Sequence, residues 1–284
     1  MCCASCGKSE VDDVKLKQCA CKLVRYCSVE CQKDHRSQHK KACKKRMAEI
    51  RDDRLFTQPE GIHLGECPIC CLPLPLDIEK WLIFSCCSKR ICSGCCYANM
   101  KREVEAGLEQ RCPFCRKPVP KSQEEVDKQE MERVKKNDPV GLFQVGKRCE
   151  NEGNFEGAIQ YYTKAAELGD MASHYNLAGL YGEGRGVEKD EYKDIYHLEE
   201  AAIGGHPKAR YNLGANEWNN GRYDRAMKHY IIAANLGQDE ALDRVKEGFV
   251  RGYVSKEDYA AALRGHQAAV DATKSAQRKA AEEY

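Results

Sequence analysis

Long apolar runs are missing from this chain of 284 residues. A membrane-spanning helix needs about 20 consecutive apolar residues, whereas the most apolar stretch covers only residues 81–84. The start of the chain also lacks the basic segment, apolar segment and small-residue cleavage site of a secretory signal. We therefore expect an intracellular protein, in the cytoplasm, the nucleus or both, with no membrane partner.

Cysteine is almost absent from the last 169 residues, where Cys149 is the single example, and 18 of the 19 cysteines lie between Cys2 and Cys115. Cysteine at this density forms either a disulfide framework or metal sites. Disulfides require an oxidising compartment, and the missing secretory signal argues against one. The sequence therefore predicts reduced thiols that bind metal ions.

A large net charge is also missing, since the chain carries only +2. The first 50 residues are nevertheless basic, with 12 Lys and Arg against 6 Asp and Glu, and residues 39–46 form a basic run. Such a run can contact nucleic acid, but at the end of a small helix it more commonly forms a solvated surface. Nucleic-acid binding is therefore an alternative that is not favoured.

Four pairs of potential metal ligands, made up of seven cysteines and one histidine, lie between residues 3 and 43. Zinc takes four ligands, so eight thiolate and imidazole groups indicate two closed, structural sites. A segment this short cannot build an adequate apolar core, and zinc ligation would supply the missing folding energy. The pairs are Cys3 and Cys6, Cys19 and Cys21, Cys27 and Cys31, and His39 and Cys43.

The segment Cys21–Gln32, followed by His39 and Cys43, resembles the MYND zinc finger. Many members have Trp where this chain has Arg36, and His35 is a second candidate for the imidazole ligand, although the family pattern places it as a surface residue. The resemblance implies docking of short, often proline-rich peptides. It also implies one zinc ion on Cys3, Cys6, Cys27 and Cys31, and another on Cys19, Cys21, His39 and Cys43.

A second set of four pairs occupies residues 67–115. With Pro68 and Pro113 inside its first and last pairs, it resembles the RING finger. A typical RING has a His where Lys89 stands here, so either both adjacent cysteines, Cys86 and Cys87, are ligands or Cys96 substitutes. The remaining spare thiols are Cys2 and Cys71. The resemblance implies one zinc ion on Cys67, Cys70, Cys92 and Cys95, and a second on Cys86, Cys87, Cys112 and Cys115.

RING modules have no nucleophile and act on a ubiquitin-conjugating enzyme by positioning it. Ile69, Pro113 and Arg116 match the family's contact positions, and the planar guanidinium of Arg116 could bridge two proteins. The alternative is that Ile69 and Pro113 only shape the zinc loops and that Arg116 is a solvated charge. The resemblance therefore implies a possible ubiquitin ligase without a catalytic residue of its own.

A repeat of Ala, Gly, Tyr and Leu begins at residue 139, and its copies end at Gly169, Gly205 and Gly237. Spacings of 36 and 32 residues are typical of solenoids built from helix pairs. Residues 181–190 and the Ala-Ala ends resemble the Sel1-like repeat, a relative of the tetratricopeptide repeat. A fourth pair is predicted to follow, with a capping box at Ser255-x-x-Asp258.

The predicted fold class is mostly α, with two small cross-brace zinc modules of irregular α+β structure followed by an α-α superhelical repeat solenoid. Four Zn²⁺ ions are expected per chain. The predicted segments are a MYND-type finger at 1–46, a linker at 47–64, a RING-like finger at 65–120, a charged helical linker at 121–138, Sel1-like repeats at 139–270 and a charged tail at 271–284.

The leading functional hypothesis is a zinc-binding protein-interaction scaffold that is a RING-type ubiquitin ligase or a ligase-associated substrate adaptor. Its expected partners are peptide ligands of the MYND finger, a ubiquitin-conjugating enzyme and a client protein on the repeats. One alternative is a non-enzymatic adaptor whose zinc modules are purely structural. Another is a nucleic-acid-associated regulator that acts through the basic first module.

Overall fold

The computed structural model describes residues 2–10 and 15–283. Met1, residues 11–14 and Tyr284, which fall in the predicted first domain and tail, lie outside the described residues. The chain divides into two compact units, Met1–Thr57 and Gln58–Tyr284. Among the described helices, none is long and apolar enough to cross a membrane.

The first unit contains a two-stranded hairpin and one long helix. Strand β1 (Lys17–Gln18) pairs antiparallel with β2 (Arg25–Tyr26), and helix α1 spans Val29–Leu55. The Ser28 hydroxyl caps α1 by accepting a hydrogen bond from the backbone N–H of Cys31. Because the continuation of α1 to Leu55 contains neither Gly nor Pro, the boundary predicted at residue 46 falls inside a continuous helix.

The second unit begins with a compact hairpin-and-helix module. Strand β3 (Trp81–Phe84) pairs antiparallel with β4 (Lys89–Cys92), and helix α2 (Ser93–Glu105) follows directly. A single-turn 3-10 helix at Ile78–Lys80 precedes β3. The small core combines metal-ligand types with two aliphatic side chains, and its fully or nearly fully buried members are Cys67, Leu74, Ile91, Cys92, Cys95 and Cys112.

Helix α3 (Gln123–Lys135) occupies the segment predicted as a charged helical linker. It is not fully solvated, because Glu130 is buried and accepts a hydrogen bond of 2.6 Å from Arg148. Two other side chains of α3 reach back to the hairpin: Gln129 accepts a hydrogen bond from the Ser85 hydroxyl, and Arg133 donates one to the Ser88 hydroxyl. The linker is therefore also a packing element.

Eight helices then form four successive pairs, each pair joined by a short turn. Asx, Ser and His side chains cap most of their N-termini, which satisfies otherwise unpaired backbone N–H groups. The helices are α4 (Pro139–Asn151), α5 (Phe155–Glu167), α6 (Met171–Glu183), α7 (Glu191–Ile203), α8 (Pro207–Asn219), α9 (Tyr223–Asn235), α10 (Asp239–Val250) and α11 (Lys256–Ala272).

Glycine serves two purposes in these repeats. Gly169, Gly205 and Gly237 end successive repeats at φ values of +90°, +83° and +88°, where an L side chain would be strained. Gly214 instead permits close helix packing, because a Cβ there would come within 2.7 Å of the Tyr230 ring. The predicted solenoid of helix pairs is therefore confirmed, including the Ser255 cap of the last pair, which accepts from the Asp258 backbone N–H.

The last described helix, α12 (Ala276–Glu282), lies within the segment predicted as a charged tail. It packs against α2, and the Arg278 side chain is only 6% exposed. The helix is packed because the Arg278 guanidinium donates hydrogen bonds to backbone carbonyls about 200 residues earlier in the chain. Sequence spacing carries no signal of such a long-range contact.

Candidate metal centres

Four clusters of potential metal ligands occur among the described residues, and within each cluster all ligand atoms lie within 4.8 Å of one another. A tetrahedral site with Zn–S bonds of ~2.3 Å places its sulfur atoms about 3.8 Å apart. The Sγ atoms of Cys70 and Cys92 are 3.8 Å apart, as are those of Cys87 and Cys112. The donor sets and their spacing therefore fit Zn²⁺.

The two clusters of the first unit interleave along the chain. One joins the first and third pairs, and the other joins the second and fourth pairs by means of α1, which carries His39 and Cys43 on one face. The Nε2 atom of His39 lies 3.0 Å from Cys21 Sγ. The clusters are Cys3, Cys6, Cys27 and Cys31, and Cys19, Cys21, His39 and Cys43.

His35, the alternative imidazole ligand, is placed outside both clusters. Its Nδ1 atom is 3.0 Å from the Tyr26 hydroxyl, and its ring stacks on that of His39 with centroids 5.9 Å apart. Tyr26 is almost fully buried beneath the cluster cysteines. His35 therefore contacts the ligand ring and the small core but belongs to neither cluster.

The same interleaving occurs at the start of the second unit. The sequence-predicted side chains come together as Cys67, Cys70, Cys92 and Cys95, and as Cys86, Cys87, Cys112 and Cys115. The first and the last cysteine pair of this module each form a tight loop. In both loops the residue after the second cysteine has a left-handed backbone, with φ of +56° at Cys71 and +64° at Arg116. Gly7 occupies the equivalent position of the first unit at +73°.

The adjacent ligands Cys86 and Cys87 lie in the turn between β3 and β4. The N–H groups of Cys87 and Ser88 both donate to the Phe84 carbonyl, at 3.2 and 2.7 Å, and Ser88 adopts φ of +58°. The left-handed Ser88 closes the turn, so both thiols face the same cluster without a cis peptide bond. Cys96, the alternative ligand, instead donates to the Ile91 carbonyl from within α2.

Opposite pKa shifts within the first cluster also favour a bound cation. Backbone N–H groups of Cys6 and Cys27 lower the pKa of Cys3 to about 6, whereas hydrogen bonds to the Cys6 and Cys31 thiols raise the pKa of Cys27 to about 12. Without a cation, four neighbouring thiols cannot all ionise. A divalent metal ion removes this conflict because it stabilises every thiolate that ligates it.

The three predicted partner-binding residues differ in accessibility. Ile69 is 43% exposed, Pro113 is half-buried and the Arg116 side chain is 46% exposed. Phe114, at 45% exposure, was missed by sequence reasoning although it occupies the same position in the last loop as Ile69 in the first. The shared Cys-Pro-x-Cys spacing of the two loops is the signal that could have found it.

Glu103 is a second residue that sequence reasoning missed. It is 2% exposed on α2, and its Oε1 atom lies 3.6 Å from Arg116 and 3.5 Å from Arg102. Its Oε2 atom accepts hydrogen bonds from the Asn99 amide and the Arg111 backbone N–H. Asn99 in turn accepts a hydrogen bond of 2.6 Å from Arg116. A buried carboxylate thus holds the Arg116 side chain against α2.

Comparison with protein families identifies the MYND finger and the Sel1 repeats. The MYND finger model matches residues 3–43, and the Sel1 repeat model matches residues 142–170, 172–206 and 207–238. The chain therefore contains a MYND finger and three Sel1 repeats. MYND fingers and Sel1 repeats are generally protein-interaction modules.

Curated relatives match only short parts of the chain. An exopolysaccharide production negative regulator of Rhizobium leguminosarum bv. viciae is 34% identical over 71 residues, which cover 25% of this chain and 27% of the relative. The putative RING finger protein ORF96 of Ostreid herpesvirus 1 (isolate France) is 35% identical over 54 residues, 19% of this chain and 22% of the relative. The chain thus spans about a quarter of either relative.

Two solved structures are similar at low sequence identity. One is a Sel1 repeat protein from Oxalobacter formigenes, with a TM-score of 0.46, 21% identity and coverage of 63% of this chain and 74% of that chain. The other is a protective antigen of uropathogenic Escherichia coli that displays an SLR fold, with a TM-score of 0.45, 23% identity and coverage of 52% and 34%.

Proposed function

We propose that the chain is a RING-type ubiquitin ligase or a substrate adaptor associated with one. In this proposal the MYND finger and the Sel1 repeats recruit protein clients, and the module at residues 65–120 docks a ubiquitin-conjugating enzyme. The observation that carries the proposal is the pair of exposed apolar side chains, Ile69 and Phe114, on the two cysteine loops. We also place the protein inside the cell, in the cytoplasm or the nucleus.

Exposure of these two side chains argues for a partner. Each projects from a loop that is held by its cysteines and by backbone hydrogen bonds, such as Cys67 N–H to the Leu72 carbonyl at 3.0 Å. A rigid loop that exposes an apolar side chain pays little conformational entropy when a partner covers it. The printed name of the viral relative, a putative RING finger protein, is in line with this assignment.

Arg116 suits a role in positioning. It follows the last cysteine of the module, and Glu103 and Asn99 hold its guanidinium while leaving nearly half of the side chain exposed. A pre-oriented guanidinium loses less entropy when it binds a second protein. In this role the module acts by positioning: fixing the geometry of the conjugating enzyme and ubiquitin would lower the barrier to transfer, and no nucleophile of the module is needed.

The test is ubiquitin-chain formation by the zinc-loaded full chain with activating enzyme and a panel of conjugating enzymes. We expect Ile69→Ala and Arg116→Ala each to reduce chain formation at least about ten-fold, the effect of losing roughly 1.4 kcal/mol of transition-state stabilisation. Chain length and self-modification are read on denaturing gels at several time points.

Matched controls separate docking from general damage. Ile78→Ala removes the same side chain at a position that is 68% exposed and outside the cysteine loops. Arg102→Ala removes the other cation beside Glu103. Both controls should retain activity. If the wild-type chain forms no ubiquitin chains with any conjugating enzyme, the ligase proposal is wrong and the non-enzymatic adaptor is favoured.

A further inference from the structure

The C-terminal helix α12 inserts one side chain beside the first cysteine cluster of the second unit. Arg278 is only 6% exposed, and its Nη1 atom donates to the Pro73 carbonyl at 2.7 Å and the Thr273 carbonyl at 2.6 Å. Its Nη2 atom donates to the Leu72 carbonyl at 3.2 Å and to Cys70 Sγ at 3.6 Å. The guanidinium therefore bonds one metal ligand and the loop that carries it.

We propose that Arg278 is a positioning residue of the zinc site formed by Cys67, Cys70, Cys92 and Cys95, and that α12 thereby closes this site and slows the release of its zinc. Four thiolates and one Zn²⁺ carry a net charge of −2. A buried guanidinium offsets part of that charge, and its bonds to the loop carbonyls hold Cys70 in the ligating orientation.

The fold around Arg278 is built for this approach. A Cβ added at Gly94, one of the two residues between Cys92 and Cys95, would lie 2.9 Å from the Arg278 Cα atom, and its three nearest atoms all belong to Arg278. Two further contacts anchor the helix: the Ser275 hydroxyl caps its N-terminus, and Glu282 forms an ion pair of 2.8 Å with Lys80. Because position 94 is glycine, the α12 backbone can pack directly against the segment that carries Cys92 and Cys95.

Coupling between zinc and α12 follows in both directions. If docking of α12 strengthens zinc binding, zinc binding must strengthen docking of α12 by the same factor. Without zinc, Cys70 is no longer held by a metal ion, so the loop that accepts the Arg278 hydrogen bonds loses one of its constraints. Helix α12 is therefore expected to dock less firmly when the site has lost its metal.

The test follows the cysteines of the zinc-loaded full chain as they become accessible in the presence of EDTA and N-ethylmaleimide, with each site resolved by mass spectrometry. In Arg278→Gln we expect Cys70 and Cys92 to be alkylated at least about ten-fold faster than in wild type. Cys87 and Cys112 of the other cluster should keep their rates. Cys71, an exposed thiol outside the clusters, reports the intrinsic alkylation rate.

Lys279→Gln is the matched control, because it removes the same charge from an exposed neighbour on α12. It should behave as wild type. Gly94→Ala leaves every charge in place and should selectively increase the alkylation rates of Cys70 and Cys92. It therefore tests the proposal even if Arg278→Gln does not fold. Unchanged rates in both Arg278→Gln and Gly94→Ala, or equal acceleration of the two clusters, would overturn the proposal. None of these readouts depends on ubiquitin transfer.

Discussion

Three loops of this protein that are formed by Cys-x-x-Cys pairs share one backbone feature, a left-handed residue immediately after the second cysteine. Glycine fills that position once, as Gly7, while Cys71 and Arg116 fill it in the module at residues 65–120. A side chain in this conformation lowers the free energy of unfolding by roughly 1–2 kcal/mol relative to glycine. Glycine offsets part of this advantage because it has more conformational freedom in the unfolded chain. Cys71, which lies outside both clusters, can be changed without removing a ligand.

Cys71→Gly is therefore expected to increase the free energy of unfolding by about 1 kcal/mol. The control Cys71→Ser also removes the thiol but keeps the Cβ atom, so it should remain close to wild type. Urea unfolding of the zinc-loaded chain measures both. Equal stability of the two variants would show that backbone strain at this position is negligible.

At the scale of the helix pair, small residues determine how closely neighbours approach. Gly146 and Gly214 occupy equivalent positions in the first and third repeats, and each lies against a buried tyrosine, Tyr162 or Tyr230. Gly179, in the interior of α6, has no atom within 4 Å of the position of an added Cβ. Chemically identical substitutions should therefore have opposite effects at the two kinds of site.

We expect Gly214→Ala to destabilise the chain by about 1–3 kcal/mol, since the new methyl group overlaps the Tyr230 ring. Gly179→Ala should stabilise it by up to about 1 kcal/mol, because alanine favours the helix. Chemical denaturation followed by far-ultraviolet circular dichroism compares the two variants. A stable Gly214→Ala protein would mean that the helix pair shifts readily to accommodate the methyl group.

At the scale of the whole second unit, the module at residues 65–120 and the segment just before it lie against successive turns of the solenoid. Arg90 approaches Asp170 at 3.5 Å, the His63 N–H donates to the Gly205 carbonyl at 3.0 Å, and the His63 ring stacks on His206 at 4.1 Å. The turns that contain Asp170 and Gly205 lie at the ends of consecutive repeats. The module is therefore held by the repeats, by α3 and by α12 as part of a single compact unit.

Acidification should weaken this packing. Burial, followed by the charge of Arg90, lowers the pKa of His63 to about 4, below its ordinary value of 6.5. Between these two values the unfolded chain binds a proton that the folded chain does not, so stability is present above pH 6.5 and falls as pH drops towards 4. His63→Phe keeps an aromatic ring for stacking on His206 and removes this titration.

The loss of stability between pH 7.5 and pH 5.5 should accordingly be smaller in His63→Phe than in wild type, by about 1 kcal/mol. Urea midpoints of the zinc-loaded proteins at the two pH values give this difference. Protonation of the zinc ligands occurs in both proteins and cancels in the comparison. Burial, the main cause of the lowered pKa of His206, is also present in both. An identical pH dependence would show that His63 titrates alike in the folded and unfolded chains.

Sequence alone determined the features that depend on local spacing. Pairs of cysteines separated by a few residues can reach one metal ion, and the repeat of 36 and 32 residues predicts stacked helix pairs. The capping box at Ser255 is equally local, because its donor and acceptor are three residues apart. Family resemblance added the interleaving of the pairs, which no spacing rule supplies.

Tertiary structure decided what lies around those local features. Only the folded chain places Arg278 beside Cys70, Glu103 beneath Arg116, and the side chains of Gln129 and Arg133 against the turn that carries Cys86 and Cys87. Charged residues in a sequence look alike whether solvated or buried. Their burial becomes favourable only when distant carbonyls, hydroxyls and thiols converge on them, and that convergence is a property of the packed molecule.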